Sequence, residues 1–136
     1  MNRFVPILAV ALVVACSDAR APLVASDVTI NKPMPGMQMA AGYLTLTNNS
    51  PEPITITDVT SPQYGAVEMH ETMIEDGISR MIELSEVTIE PSSSVAFEPG
   101  GKHLMLMRQK GEPDLVTLEL HADETVVLTI SVAPGD

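Results

Sequence analysis

Two of the three histidines in this chain stand near methionines at spacings that extended backbone would turn into pairs. In "HLMLM", residues 103–107, a two-residue period puts His103, Met105 and Met107 on one face of a strand and Leu104 and Leu106 on the other. In "MHETMIEDGISRM", residues 69–81, Asp76-Gly77 reads as the centre of a two-residue hairpin turn. Glu75 then pairs with Ile78 and Thr72 with Met81, so His70 and Met81 become diagonal neighbours on a single face. The same parity sends Met69 and Met73 to the opposite face with Val67, Ile82 and Leu84, the make-up of a core face.

Two imidazoles and two thioethers suit a particular kind of ion. Thioether sulfur is a poor ligand for hard Mg²⁺ or Ca²⁺, and zinc prefers thiolate, imidazole or carboxylate. Cu(I) accepts neutral Met and His readily. A thioether also survives an oxidising compartment better than a thiolate would. The donors are uncharged, so Glu68, Glu71 and Glu75 close by in the sequence would help retain the cation. Each His–Met pair taken alone also has a plain packing explanation, with methionine filling gaps between strands.

The elements that must position these residues are short β-type runs separated by Pro, Gly, Asn, Asp and Ser. "GYLTLTN" (residues 42–48) and "ITITDV" (residues 54–59) alternate apolar residues with Thr around the turn "NNSPEP". Further runs are "AVEMHETMI", "ISRMIEL", "EVTIE", "SVAFE", "HLMLM", "LVTLEL" and "TVVLTISV". In the last, Val126, Leu128, Ile130 and Val132 are expected to face one way. No segment carries a sustained helical period. About eight or nine short strands with regular turns predict an antiparallel β-sandwich or barrel.

Bulk properties narrow the partners. The 136 residues make at most one domain, and eighteen acidic against seven basic residues give a net charge of −11. A nucleic-acid partner is excluded by that balance, and a cation or a basic protein patch is favoured. The N-terminal "MNRFVPILAVALVVAC" has one basic residue and a short apolar run, which reads as a secretory signal over residues 1–15. The only cysteine, Cys16, follows directly, as in a bacterial lipoprotein signal whose Cys becomes the lipidated first residue. Residues 16–24 then read as a tether and residues 25–136 as the folded domain, exported, without disulfides and lipid-anchored on the periplasmic side. A lipid at Cys16 is the only membrane contact expected.

Other candidates carry less. Met34, Met37 and Met39 in "MPGMQM" either cap one end of the core, the favoured reading, or form a second soft-metal patch. His121 has no Met or Cys beside it and reads as a surface or strand-end histidine, and Met107 reads either as packing or as an outer support of the site beside His103. No serine or cysteine arrangement for nucleophilic catalysis is present, and Gly100-Gly101 is a turn before a strand and not a phosphate loop. No enzyme activity is expected from these residues.

The spacing of the four donors is specific. Ten residues separate His70 from Met81, and twenty-one separate Met81 from His103-x-Met105. This resembles the H-x10-M-x21-H-x-M signature of the PCuAC-type periplasmic copper chaperones, with similar text in "GYLTLTN", "MHETMIEDGISRM" and "EPGGKHLMLM". The likeness spans about residues 28–132. It implies a cupredoxin-like antiparallel β-sandwich that binds one Cu(I) through His70, Met81, His103 and Met105. It further implies delivery to the CuA centre of cytochrome c oxidase, beside a thiol-bearing Sco-type partner. The His- and Met-rich C-terminal extension of some relatives has no counterpart after "SVAPGD". A copper buffer that sequesters the ion would use the same residues, as would no electron-transfer cupredoxin, which needs a cysteine thiolate at the metal.

Overall fold

The computed structural model describes residues 20–135. Cys16 and the signal read over residues 1–15 lie outside the described residues. The chain forms eleven strands: β1 Leu23–Ile30, β2 Met39–Asn48, β3 Ile54–Ile56, β4 Asp58–Thr60, β5 Tyr64–Glu75, β6 Ile78–Glu83, β7 Val87–Ile89, β8 Ser94–Phe97, β9 Lys102–Gln109, β10 Val116–Ala122 and β11 Thr125–Val132. Among the described residues there is no helix.

Nine strands make one antiparallel sheet in the order β1-β2-β9-β5-β4-β10-β11, with β8 added to β2 and β6 added to β5. The sheet curls until its ends meet. Gly135 donates to the carbonyl of Ile30 at 2.8 Å and accepts from Lys32 N–H at 2.9 Å, tying the segment after β11 to the end of β1. A small second sheet of β3 and β7 closes one side. The expected cupredoxin-like β-sandwich is therefore the observed fold, in a form close to a closed barrel.

Alternation explains the packing. Leu44 and Leu46 of β2, Val67 and Met69 of β5, Leu104 and Leu106 of β9, and Leu118 and Leu120 of β10 point inward and are buried. Each fully buried leucine contributes about 1.5–3 kcal/mol through loss of apolar surface from water. The residues between them face outward, so the inner leucines of β9 fix where His103, Met105 and Met107 point. Asn48, fully buried, closes one end of this core. Its Nδ2 donates to the carbonyls of Glu52 and Ile89, and its Oδ1 accepts from the backbone N–H and hydroxyl of Ser50.

Several expectations need correction. The folded part starts earlier than residue 25: Leu23 is buried and Leu23 and Val24 already pair with Asn48 and Thr47, because the sheet needs a strand beyond β2. The run 54–59 is not one strand. It splits at Thr57, whose N–H donates to His121 O, so that Ile54–Ile56 pairs with β7 and Asp58–Thr60 with β10 and β5. The β10–β11 pairing slips between Leu120↔Leu128 and His121↔Val126, so Val127 is an extra residue in β11, and Val126 is exposed instead of aligned with Leu128 and Ile130.

Candidate metal centre

The hairpin forms with the register that the Asp76-Gly77 turn requires. Glu75 pairs with Ile78, Thr72 with Met81 and His70 with Glu83. Asp76 and Gly77 have φ of 51° and 76°, both in the left-handed region that a tight hairpin turn needs and that glycine occupies without penalty. Met69 is buried and Leu84 packs on the core, but Met73 and Ile82 are each 40% exposed. Their parity is as expected. They are not core residues because the β5–β6 hairpin runs past the end of the barrel, and every residue of β6 is exposed.

On its other side β5 pairs with β9, and there His70 and His103 are direct partners. Their ring centroids are 5.7 Å apart with planes at 81°, an edge-to-face contact. Glu68 stands opposite Met105 in the same ladder. Met81, His70, His103 and Met105 therefore share the outer face of three adjacent strands, β6, β5 and β9. Met105 is half-buried, whereas Met81, on the outermost strand, is 61% exposed and is the outlying member of the four.

The two imidazoles are held in different ways. His70 Nε2 lies 2.8 Å from Glu68 Oε2, and because a carboxylate accepts, Nε2 carries the proton. Nδ1 of the neutral ring is then a lone pair, buried and without a hydrogen-bond partner. His103 Nδ1 donates to the carbonyl of Gly101 at 3.2 Å, which leaves the lone pair of the neutral ring on Nε2. The "EPGGK" turn supplies that carbonyl. Gly101 N–H donates to Glu98 O at 3.0 Å and Gly100 takes φ of 83°, so the Gly101 carbonyl is presented both to His103 and to the N–H of Thr72. A buried polar atom with no partner is costly. The ring that carries it lies edge-to-face against a second imidazole, His103, with centroids 5.7 Å apart.

The carboxylates sort differently from their order in the sequence. Glu68 is on the site face, but Glu71 and Glu75 project from the other side of β5, and Glu71 pairs with Lys102 at 3.1 Å. Glu83, which sequence reasoning missed, stands opposite His70 on the site face. Its partner position follows from the hairpin sum that pairs residue 75 with residue 78, so the signal was available. Among the described residues no group of three or more His, Cys, Asp and Glu side chains is gathered to hold a metal.

The remaining candidates lie elsewhere. His121 is on β10 with Nε2 2.9 Å from the Thr60 hydroxyl. Met34, Met37 and Met39 do not cap the core, being 69%, 51% and 44% exposed. The turn closed by Met37 N–H on Met34 O swings out before β2 begins, and Met34 and Met37 border a surface hollow of about 490 Å³ with Lys32, Gln109, Glu112 and Asp114. Met39 parts from them and joins the sheet opposite Met107.

Comparison with known proteins agrees with this architecture. The family model described as "Putative lipoprotein LpqE-like" matches residues 17–133. The chain belongs to the LpqE-like family. Among solved structures, the LpqE-like chain is similar to a copper-bound PCuAC domain from PmoF2, with TM-score 0.67 and 21% identity over 85% of this chain and 94% of that one. It is also similar to the Cu(I)-bound solution structure of DR1885 from Deinococcus radiodurans, with TM-score 0.64 and 25% identity over 88% and 82% of the two chains. The LpqE-like fold is thus that of PCuAC domains. An uncharacterised protein of Rickettsia prowazekii, RP573, is 29% identical over 72 residues, and the match spans 52% of this chain and 40% of that protein.

Proposed function

We propose that this LpqE-like domain is a periplasmic carrier of one Cu(I) ion, held by His70, Met81, His103 and Met105. The observation that carries the reading is the His70–His103 pair: neighbouring rings 5.7 Å apart, one with a buried, unpartnered Nδ1. The similarity to copper-bound PCuAC domains supports it independently of the donor set.

In this reading three donors, His70, His103 and Met105, sit on adjacent strands of the rigid barrel, and Met81 closes the set from the projecting hairpin. Glu68 fixes the His70 ring, and the Gly101 carbonyl fixes that of His103. Neutral thioethers release an ion more readily than thiolates, and exposed Met81 is the donor that an incoming ligand of an acceptor would replace first. No covalent chemistry on a substrate is required, so the protein works as a carrier and not as an enzyme. The acceptor we propose is the CuA centre of cytochrome c oxidase, reached directly or through a Sco-type copper protein. Lipidation at Cys16 would keep the carrier at a membrane surface near such a client.

The test is an anaerobic competition titration with a Cu(I) chelator on the wild type, Met81→Ala and His103→Ala. Both variants are expected to lose affinity, and unchanged affinity in both would remove the site. Oxidase assembly in a deletion strain at limiting copper separates delivery from sequestration, since normal CuA loading would favour a buffer.

A further inference from the structure

We propose that Met39, Met105 and Met107 form a second, all-thioether Cu(I) position beside the four-donor site. It rests on the Cu(I) reading of this face and extends it to residues outside the H-x10-M-x21-H-x-M pattern. Met105 is the donor common to both positions.

The sheet register places these three side chains together. Met39 of β2 pairs directly with Met107 of β9, and Met105 follows two residues before Met107 on the same outward face. Directly paired Cα atoms lie about 4.5–5.5 Å apart, and neighbours two residues along a strand about 7 Å. Methionine, with three rotatable bonds and a polarisable sulfur, spans such gaps easily. The positions flanking the cluster are small: Ala41 stands beside Met105 on β2, and Ala66 beside Met107 on β5. The one long side chain beside them on these strands is Glu68, opposite Met105 on β5, and it is drawn toward His70 Nε2 by the 2.8 Å contact.

A packing role does not account for the cluster. On the same strands the core is built by Ala40, Leu104 and Leu106, all on the opposite face and each under 5% exposed. Met39 is 44% exposed, and Met105 and Met107 are only half-buried. Along β9 leucine is used inward and methionine outward, although leucine would pack as well on either side. The outward face therefore carries an unbroken sequence of soft donors, from His70 and His103 through Met105 to Met107 and Met39.

Three thioethers without imidazole make a neutral, soft set that accepts Cu(I) and discriminates against harder divalent ions. Because Met105 is shared, an ion can pass between the two positions by forming bonds to one set of partners as those to the other break. The copper stays monovalent throughout, so no electron or proton is exchanged. The thioether position binds more weakly than the site that adds two imidazoles, and it serves as an entry or exit step for the ion.

Ag(I), a redox-inert stand-in for Cu(I), tests this on the intact domain carrying ¹³C-methyl methionine. The first equivalent is expected to move the methyl signals of Met81 and Met105 and the ring signals of His70 and His103. Further Ag(I) is expected to move Met39 and Met107 in a saturable step, with the Met105 thioether bridging the two ions or passing from the first to the second, ahead of the exposed Met34 and Met73. Met39→Leu/Met107→Leu should lose that step and keep the first, with the buried Met69 signal unchanged as a check on the fold. In a His70→Ala/His103→Ala variant the Met39 and Met107 shifts should persist. If Met39 and Met107 stay still, or move only in step with Met34 and Met73, the second position is overturned while the four-donor site stands. If instead the first equivalent leaves His70 and His103 unmoved, the four-donor reading falls, and the Met39 and Met107 shifts alone decide the second position.

Discussion

Glu68 accepts a hydrogen bond from Nε2 of His70 at 2.8 Å, and this one contact turns the ring so that Nδ1 is the buried, unpartnered nitrogen. A carboxylate used in this way fixes both the tautomer and the ring orientation of a metal-binding histidine. Glu68→Ala is expected to weaken Cu(I) binding by roughly 10–100-fold, the usual cost of losing such a partner. Glu68→Gln, whose amide oxygen can still accept from Nε2, should lose less. Chelator competition measures both, and wild-type affinity in Glu68→Ala would show that His70 needs no such support.

In the proposed site Met81 would contribute from outside the barrel. Met81→Ala should weaken Cu(I) binding by more than the roughly 10–100-fold expected for an outer partner, because a donor itself is lost. Thermal stability should hardly change, since Met81 is 61% exposed and buries little apolar surface. A large fall in Tm with unchanged affinity would assign Met81 to packing.

The turn that aims Met81 can be broken separately. Gly77 has φ of 76°, where a β-branched side chain is strained, and Gly77→Val should cost the hairpin about 1–3 kcal/mol. Nothing lies within 4 Å of the place a Cβ would occupy, so the penalty is conformational and not steric crowding. We expect faster hydrogen exchange in β6, weaker Cu(I) binding and a barrel whose Met69 and Leu104 environments are unchanged. Unaltered exchange in β6 would contradict this division between hairpin and barrel.

Asn48 lies far from the site in function but close to the centre of stability. Asn48→Ala removes two donated and two accepted hydrogen bonds in a fully buried position. The expected loss is about 2–4 kcal/mol, seen as a Tm lower by roughly 10 °C. Copper affinity measured below the melting range should match the wild type.

Burial raises the Tyr64 phenol above its ordinary value of 10.0. The unfolded chain loses this proton more easily than the folded one, so the contribution to stability is complete below pH 10 and is lost as pH climbs through the raised value. Denaturant midpoints between pH 9 and pH 12 should therefore fall more steeply in the wild type than in Tyr64→Phe. The variant should also be slightly less stable at neutral pH, having lost the 3.1 Å bond from the hydroxyl to Gln109 Oε1. Parallel curves for the two proteins would refute the assignment.

What was legible in the sequence depended on interactions between near neighbours. The Asp76-Gly77 turn set the β5–β6 register, because a two-residue loop leaves one pairing, and so His70 and Met81 were placed on one face from sequence alone. The two-residue period likewise separated Leu104 and Leu106 from His103 and Met105, since inner and outer positions alternate in any strand. The spacing of His70, Met81, His103 and Met105 resembles the PCuAC signature, and the fold is that of PCuAC domains.

Tertiary structure decided everything that depends on strands distant in sequence. That His103 stands directly across from His70, that Glu68 faces Met105 and that Met39 joins Met107 are consequences of β9 lying between β5 and β2, an order no local pattern encodes. The exposure of Met73 and Ile82 also escaped the pattern, because alternation tells which way a side chain points but not whether anything lies there to cover it. The physical reason is the same throughout: backbone geometry and turn chemistry act over a few residues, whereas the neighbours of a face are chosen by the packing of the whole sheet.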